Sequence, residues 1–120
     1  MTPASATYTT QAKPISLNNA YKNVKGRGRV KTAEYKAWIM ALQYEFKSQL
    51  RHKIEGPYKL IIRVNQHVTK ADVDNLIKPI SDVLVSIGAT DDDRKMRGVD
   101  IEYEDREDTI IWITGYGRAA

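Results

Sequence analysis

Asp72 and Asp74 stand two residues apart, Lys78 follows four residues after Asp74, and Asp91-Asp92-Asp93 comes one helix length later. Carboxylate oxygens are the ligands a hard divalent cation such as Mg²⁺ prefers, and a cation held by several of them can bind a phosphate and activate a water. A lysine beside them adds positive charge where a phosphoryl group is negative. The constellation therefore reads as the parts of a divalent-metal phosphodiester site. In a chain of net charge +4 and pI near 9.3, such a concentration of acid points to chemistry rather than to decoration of a surface. Each residue also has an ordinary structural reading. Asp74 would be a helix N-cap, Lys78 its i,i+4 partner, and Asp91 to Asp93 a solvated turn.

The elements that must position these residues follow from periodicity. Leu60, Ile62 and Val64 alternate with Lys59, Arg63 and Asn65, so a strand from Tyr58 to Val68 delivers the chain into the aspartate motif. Beyond Asn75, the residues Ile77, Ile80, Leu84 and Ile87 recur at helical spacing, and Gly88 closes that helix. Pro79 should lie in or near the first turn, which sets Asp72 and Asp74 at the helix mouth, where an extended chain would turn them to one face. Asn75 and Pro79 are assigned to shaping this helix start.

Upstream, Thr32 is an expected N-cap with Glu34 in the first turn. Tyr35, Trp38, Ile39, Leu42, Phe46 and Leu50 then give a long amphipathic helix that Gly56-Pro57 would end, its aromatic stripe read as core. Residues 1–13 read as a flexible arm with a short strand near Tyr8, and 14–120 as a single domain. Lys25-Gly-Arg27-Gly-Arg29-Val-Lys31 reads as a pliable basic loop. Downstream, Val99, Ile101 and Tyr103 mark a strand, Thr109 to Thr114 another, and the short charged link between them predicts an antiparallel hairpin. The expected fold class is α+β, a small mixed or antiparallel sheet with two main helices.

Charge is divided along the chain. Residues 1–53 hold ten Lys/Arg against two acids, whereas the remainder holds nine against thirteen. A basic half joined to a carboxylate half suits a polyanion gripped by one part and cut by the other. The absence of cysteine excludes disulfides and thiolate metal sites, and fits a cytoplasmic protein. No apolar run approaches the length of a membrane span, so no membrane role is expected.

The pattern Asp72-x-Asp74-Asn75-Leu76-x-Lys78-Pro79-x-x-Asp82, then Gly88, Asp92-Asp93 and Lys95-Met96, resembles the RusA family of phage and prophage Holliday junction resolvases. The opening Pro14-x-Ser16-x-Asn18-x-x-Tyr21, with a basic Gly-Arg loop and a tyrosine-containing helix behind it, is similar to the family's start. The resemblance runs from Pro14 to Ile113. Two departures are Ala89-Thr90, where bulky apolar residues are usual, and Thr69-Lys70, where arginines are.

The resemblance implies a homodimeric endodeoxyribonuclease, dependent on Mg²⁺ with Mn²⁺ as a substitute, that cuts four-way DNA junctions symmetrically in recombination and repair. Carried over by position, Asp72, Asp74 and Asp93 would be the catalytic carboxylates and Lys78 the essential lysine. Counting from Gly88 selects Asp92 and Asp93 as the acidic doublet, so the metal set is Asp72, Asp74, Asp92 and Asp93, with Asp91 an extra acid. Lys25, Arg27, Arg29 and Lys31, with Asn18 and Lys70, would bind DNA, chiefly through backbone phosphates. Two other readings stand beside this one: a non-catalytic DNA-binding protein, and a metal-dependent phosphoesterase acting on small phosphate esters. The lack of a G-x-x-x-x-G-K loop disfavours the latter.

Overall fold

The computed structural model describes residues 4–66 and 72–116. In chain order these form β1 (Ser5–Thr10), α1 (Leu17–Ala20), β2 (Tyr21–Val24), β3 (Gly28–Lys31), α2 (Ala33–Gln49), β4 (Tyr58–Asn65), α3 (Asp74–Ser86), β5 (Met96–Glu104) and β6 (Thr109–Gly115), with a 3-10 turn over Asp93–Lys95. The alternation of β4 does what its period predicts. Tyr58, Leu60, Ile62 and Val64 are fully buried, and they join Leu42 and Phe46 of α2, Leu76, Ile80 and Leu84 of α3, and Ile111 and Ile113 of β6 in one core. Both helices thus cover the same sheet face. The opposite face carries Ile61, Arg63, Ile110 and Trp112, all partly exposed.

The sheet is mixed, in the order β1-β6-β4-β5, with β4 and β5 parallel and the other pairs antiparallel. The predicted hairpin between the last two strands does not form. β4 lies between β5 and β6, so the link from Glu104 to Thr109 crosses two strand spacings, roughly 10 Å. A parallel pair needs a crossover connection, and α3 supplies it as the middle of a β4–α3–β5 unit. Arg106 braces the link between Glu104 at 3.3 Å and Asp108 at 3.0 Å.

Three further expectations are corrected. The short strand expected near Tyr8 is there as β1, but tied into the sheet rather than loose: it pairs with β6 from Ser5↔Thr114 to Thr10↔Thr109, Tyr8 packs on Phe46 at 5.4 Å, and the Gln49 side-chain amide bonds both backbone groups of Thr9. The long helix stops at Gln49 rather than at Gly56-Pro57, because the chain must run out to bury Ile54, whose N–H donates to the Ala89 carbonyl at 2.9 Å. The basic loop is an ordered antiparallel hairpin of β2 and β3, its turn made by Gly26 and Gly28 at φ of 80° and 73°. Thr32, by contrast, caps α2 as expected, accepting the Tyr35 N–H at 3.1 Å.

The Tyr8 hydroxyl is buried with no hydrogen-bond partner among the described residues. An unsatisfied buried hydroxyl costs its desolvation, on the order of 1 kcal/mol or more. Tyr8→Phe should therefore leave the melting temperature unchanged or raise it, which a thermal scan by circular dichroism would check. Tyr8→Ala should lower it markedly, since it opens the core beside Phe46.

Candidate active site

Helix α3 begins where the motif begins. Val73 takes the N-cap position in a helical conformation (φ −59°, ψ −35°) and makes no side-chain cap bond, and Asp74 is the first helical residue. The backbone enters through tight turns, with Asn75 N–H on the Asp72 carbonyl and Leu76 N–H on that of Val73, each at 3.1 Å. Asp74 is thus not a cap. Neither does the shared-face argument hold, since helical backbone at Val73 separates two side chains that an extended chain would align. A capping side chain contributes about 1 kcal/mol, which this helix forgoes. Both carboxylates stay exposed, with no ion pair to another described residue.

Pro79 is the sixth residue of α3, just past its first turn, and is buried. Its missing N–H leaves the Asn75 carbonyl without its usual donor, so the first turn is loosely tied to the second. The apolar stripe below it comprises Leu76, Ile80, Val83, Leu84 and Ile87; Ile77, expected in the core, is only partly buried. The carboxyl end closes on Gly88 at φ 80°, with Gly88 N–H on the Val85 carbonyl at 3.0 Å and Ala89 N–H on that of Leu84 at 2.9 Å. This left-handed turn reverses the chain and brings the acidic run back along the helix.

The three consecutive aspartates then take three different partners. Asp91 accepts the Gly56 N–H at 2.7 Å and pairs with Lys53 at 2.7 Å, which joins it to the segment between α2 and β4. Asp92 caps the 3-10 turn, accepting the Arg94 N–H at 2.9 Å, and pairs with the Arg94 guanidinium at 3.0 Å. These bonds, the backbone one foremost, hold its carboxyl down to about 2. Asp93 meets Lys78, Nζ to Oδ2, at 2.8 Å. Lys78 does not pair with Asp74, as its ordinary reading required. It is shared with Asp82, one turn further along α3, at 2.9 Å. The bonds to Asp93 and then Asp82 raise the Lys78 ammonium above the usual lysine range, so it remains charged.

These roles predict separate consequences. Bonds to Lys53 and then Gly56 hold the Asp91 carboxyl below the ordinary carboxylate range. A depressed carboxyl contributes stability above its unfolded pKa and loses it as pH falls through the folded value. Asp91→Asn should therefore lower the melting temperature near neutral pH, with the difference from the parent chain narrowing below about pH 4. Melting curves across pH would show this.

The basic residues lie beside the acidic site. Tyr21 pairs with Lys31 and Asn23 with Arg29, so Tyr21, Arg29 and Lys31 share one face of the hairpin. The Arg29 guanidinium lies 4.1 Å above the Tyr21 ring, and Tyr21 meets Tyr35 edge-on at 5.5 Å. Tyr35 in turn feels the charges of Asp82 and Lys78, and its phenol is pushed up to about 12 by burial first and then by Tyr21 and Asp82. Two tyrosines therefore separate the hairpin's arginine from the lysine of α3. Lys25, Arg27 and Asn18 are exposed, Asn18 lining with Tyr21 and Arg29 a shallow cleft of about 220 Å³. Lys70 lies outside the described residues.

A family described as endodeoxyribonuclease RusA matches residues 11–114. The chain belongs to the RusA endodeoxyribonuclease family. It is thus a hydrolase acting on DNA phosphodiester bonds, which separates it from a non-catalytic DNA-binding protein and from an enzyme of small phosphate esters. The comparison with curated proteins finds no match. For a RusA-family chain the carboxylates are suitable Mg²⁺ donors by chemistry: Asp72 and Asp74 are exposed and ion-paired to no other described residue, and Asp93 keeps one oxygen clear of Lys78. Among the described residues, however, no three carboxylate or histidine side chains are gathered closely enough to hold a metal. No helix among them is long and apolar enough to cross a membrane. Asp82 stood in the motif without an assigned role, and the Lys53–Asp91 pair was not anticipated. The i,i+4 spacing from Lys78 was a visible signal for the first, and nothing local pointed to the second.

Proposed function

We propose that this RusA-family enzyme resolves four-way DNA junctions by paired, symmetric, Mg²⁺-dependent hydrolysis, acting as a homodimer in recombination and repair. The observation that supports the reading is the return of Asp93 to Lys78 on α3, the helix whose mouth carries Asp72 and Asp74, neither of them ion-paired to another described residue. Asp72, Asp74 and Asp93 would hold the cation, with Asp92 as an outer contributor and Mn²⁺ as a substitute. A divalent ion so held would neutralise the scissile phosphate and lower the pKa of a water.

The protein's own groups supply the rest. Lys78, charged throughout the working range, offers its ammonium to the phosphate oxygens as charge develops on them, and Asp82 and Asp93 orient it. Arg27, Arg29, Lys25 and Lys31 project from the hairpin to grip backbone phosphates, and Asn18 lies in the cleft beside them. Arg29 is steadied by its stacking on Tyr21, which reduces the entropy lost on contact. A junction must be cut in two symmetry-related strands and one chain has one carboxylate set, so a C₂ dimer is the simplest match.

Incubation with a labelled four-way junction, a linear duplex and a nucleotide, each with and without Mg²⁺, tests the reading. Cleavage confined to the junction and to Mg²⁺ is expected; equal cleavage of the duplex, or of the nucleotide, would refute it. Sedimentation equilibrium at micromolar protein should give twice the 13.6 kDa chain mass.

A further inference from the structure

A sheet face left to solvent carries polar residues, and the outer face of this sheet does so only toward its rims. At its centre Ile61 of β4 and Trp112 of β6 are cross-strand partners, with Ile110 two residues before Trp112. Neither core takes up any of the three, even at its margin. One rim is acidic: Asp100, Glu102 and Glu104 of β5 reach Arg63 at 3.0, 3.3 and 3.4 Å, three carboxylates against one guanidinium. The other rim, β1, presents the hydroxyls of Thr7 and Thr9. Strand register aligns these residues in rows across the sheet. One row runs Thr7, Trp112, Ile61, Asp100, and the next Thr9, Ile110, Arg63, Glu102.

We propose that two copies of the chain pack these faces together about a twofold axis parallel to the strands and between β4 and β6. The inference rests on the homodimer reading above and names its interface. Such an axis reverses strand order but keeps strand direction, so each row meets its own reverse. Ile61 then lies over the partner's Trp112 and Arg63 over the partner's Ile110. Thr7 and Thr9 lie over the partner's Asp100 and Glu102, which sets a hydroxyl donor against a carboxylate at each rim. An axis across the strands would instead lay β5 on the partner's β5, acid against acid, an arrangement that like-charge repulsion disfavours. The placement of the sites favours the same choice. In the β4–α3–β5 crossover the mouth of α3 lies at the carboxyl end of β4, so keeping strand direction opens both copies of α3 at one end of the dimer, where a single junction can meet both. The axis across the strands would send them to opposite ends. Twist turns such packed sheets by about 30°, which displaces the rims more than the central Ile61 and Trp112.

The chain has no cysteine, so introduced thiols report the pairing without interference. Thr7→Cys and Asp100→Cys are made in separate full-length chains, mixed, left to exchange and treated with a short bismaleimide. The mixture should couple several-fold more than either variant alone, because unlike rims face each other while like rims are offset by three strand spacings, roughly 14 Å. Ile61→Glu places a carboxylate in the interface of the dimer but in solvent in the single chain. Its circular dichroism should match the parent's, and its sedimenting mass at micromolar protein should fall from twice 13.6 kDa toward 13.6 kDa. Coupling within Thr7→Cys or Asp100→Cys alone, and not in excess in the mixture, would overturn the axis and the inference with it. A dimer that Ile61→Glu leaves intact, with no excess coupling in the mixture, pairs through another surface; this inference then fails while the homodimer reading stands. A parent chain that sediments at 13.6 kDa removes both.

Discussion

Asp72→Asn, Asp74→Asn and Asp93→Asn should each reduce junction cleavage roughly a hundredfold or more, while leaving junction binding nearly unchanged. Each substitution removes one unit of ligand charge, and charge stabilisation at such a site is worth several kcal/mol. None of them touches the hairpin that supplies the phosphate contacts. Asp91→Asn provides the contrast. Its carboxylate is committed to Lys53 and Gly56, so it should cost stability and leave turnover per folded molecule largely intact. Single-turnover cleavage, together with electrophoretic mobility shifts in Ca²⁺, reads both quantities. Loss of cleavage in Asp91→Asn with retention in Asp93→Asn would reverse the assignment of the two acids.

The second large effect is expected from the hairpin. Arg27→Ala combined with Arg29→Ala should weaken junction binding and flatten its salt dependence by about two units of slope, about one for each lost phosphate contact. Arg27 lies in the turn and Arg29 on the Tyr21 ring, and both are exposed, so neither substitution removes core packing. Cleavage at saturating protein should change much less than affinity. Binding curves over a range of salt decide it, and an unaltered slope would remove the hairpin from the DNA surface.

Features whose cause is local were legible in the residues. Thr32 caps α2 because a threonine oxygen reaches an N–H three residues on, and Leu60, Ile62 and Val64 bury one face because strand period is two. Gly88 closes α3 because it adopts a left-handed backbone without strain. Features set by distant partners were not legible. Whether β6 pairs with β5 or with β4 depends on where α3 returns the chain, and a short charged link is compatible with either. The short strand near Tyr8 was legible, but its place beside β6 was not.

The candidate site divides in the same way. The spacing of Asp72, Asp74 and Lys78 and the acidic run after Gly88 were readable, and so was the family they belong to. The partition of Asp91, Asp92 and Asp93 among Lys53, Arg94 and Lys78 was not. It depends on a loop 35 residues upstream and on how the chain reverses after the helix. The same distance hid the aromatic link from Arg29 through Tyr21 and Tyr35 toward Lys78.

Junction resolution by paired cuts is tested most directly with a supercoiled plasmid that extrudes a cruciform, under conditions allowing a single binding event in Mg²⁺. A dimer cutting two symmetry-related strands within the lifetime of one complex should convert the plasmid straight to linear product. Accumulation of nicked circles alone, from a protein that sediments as a monomer, would contradict the resolvase reading.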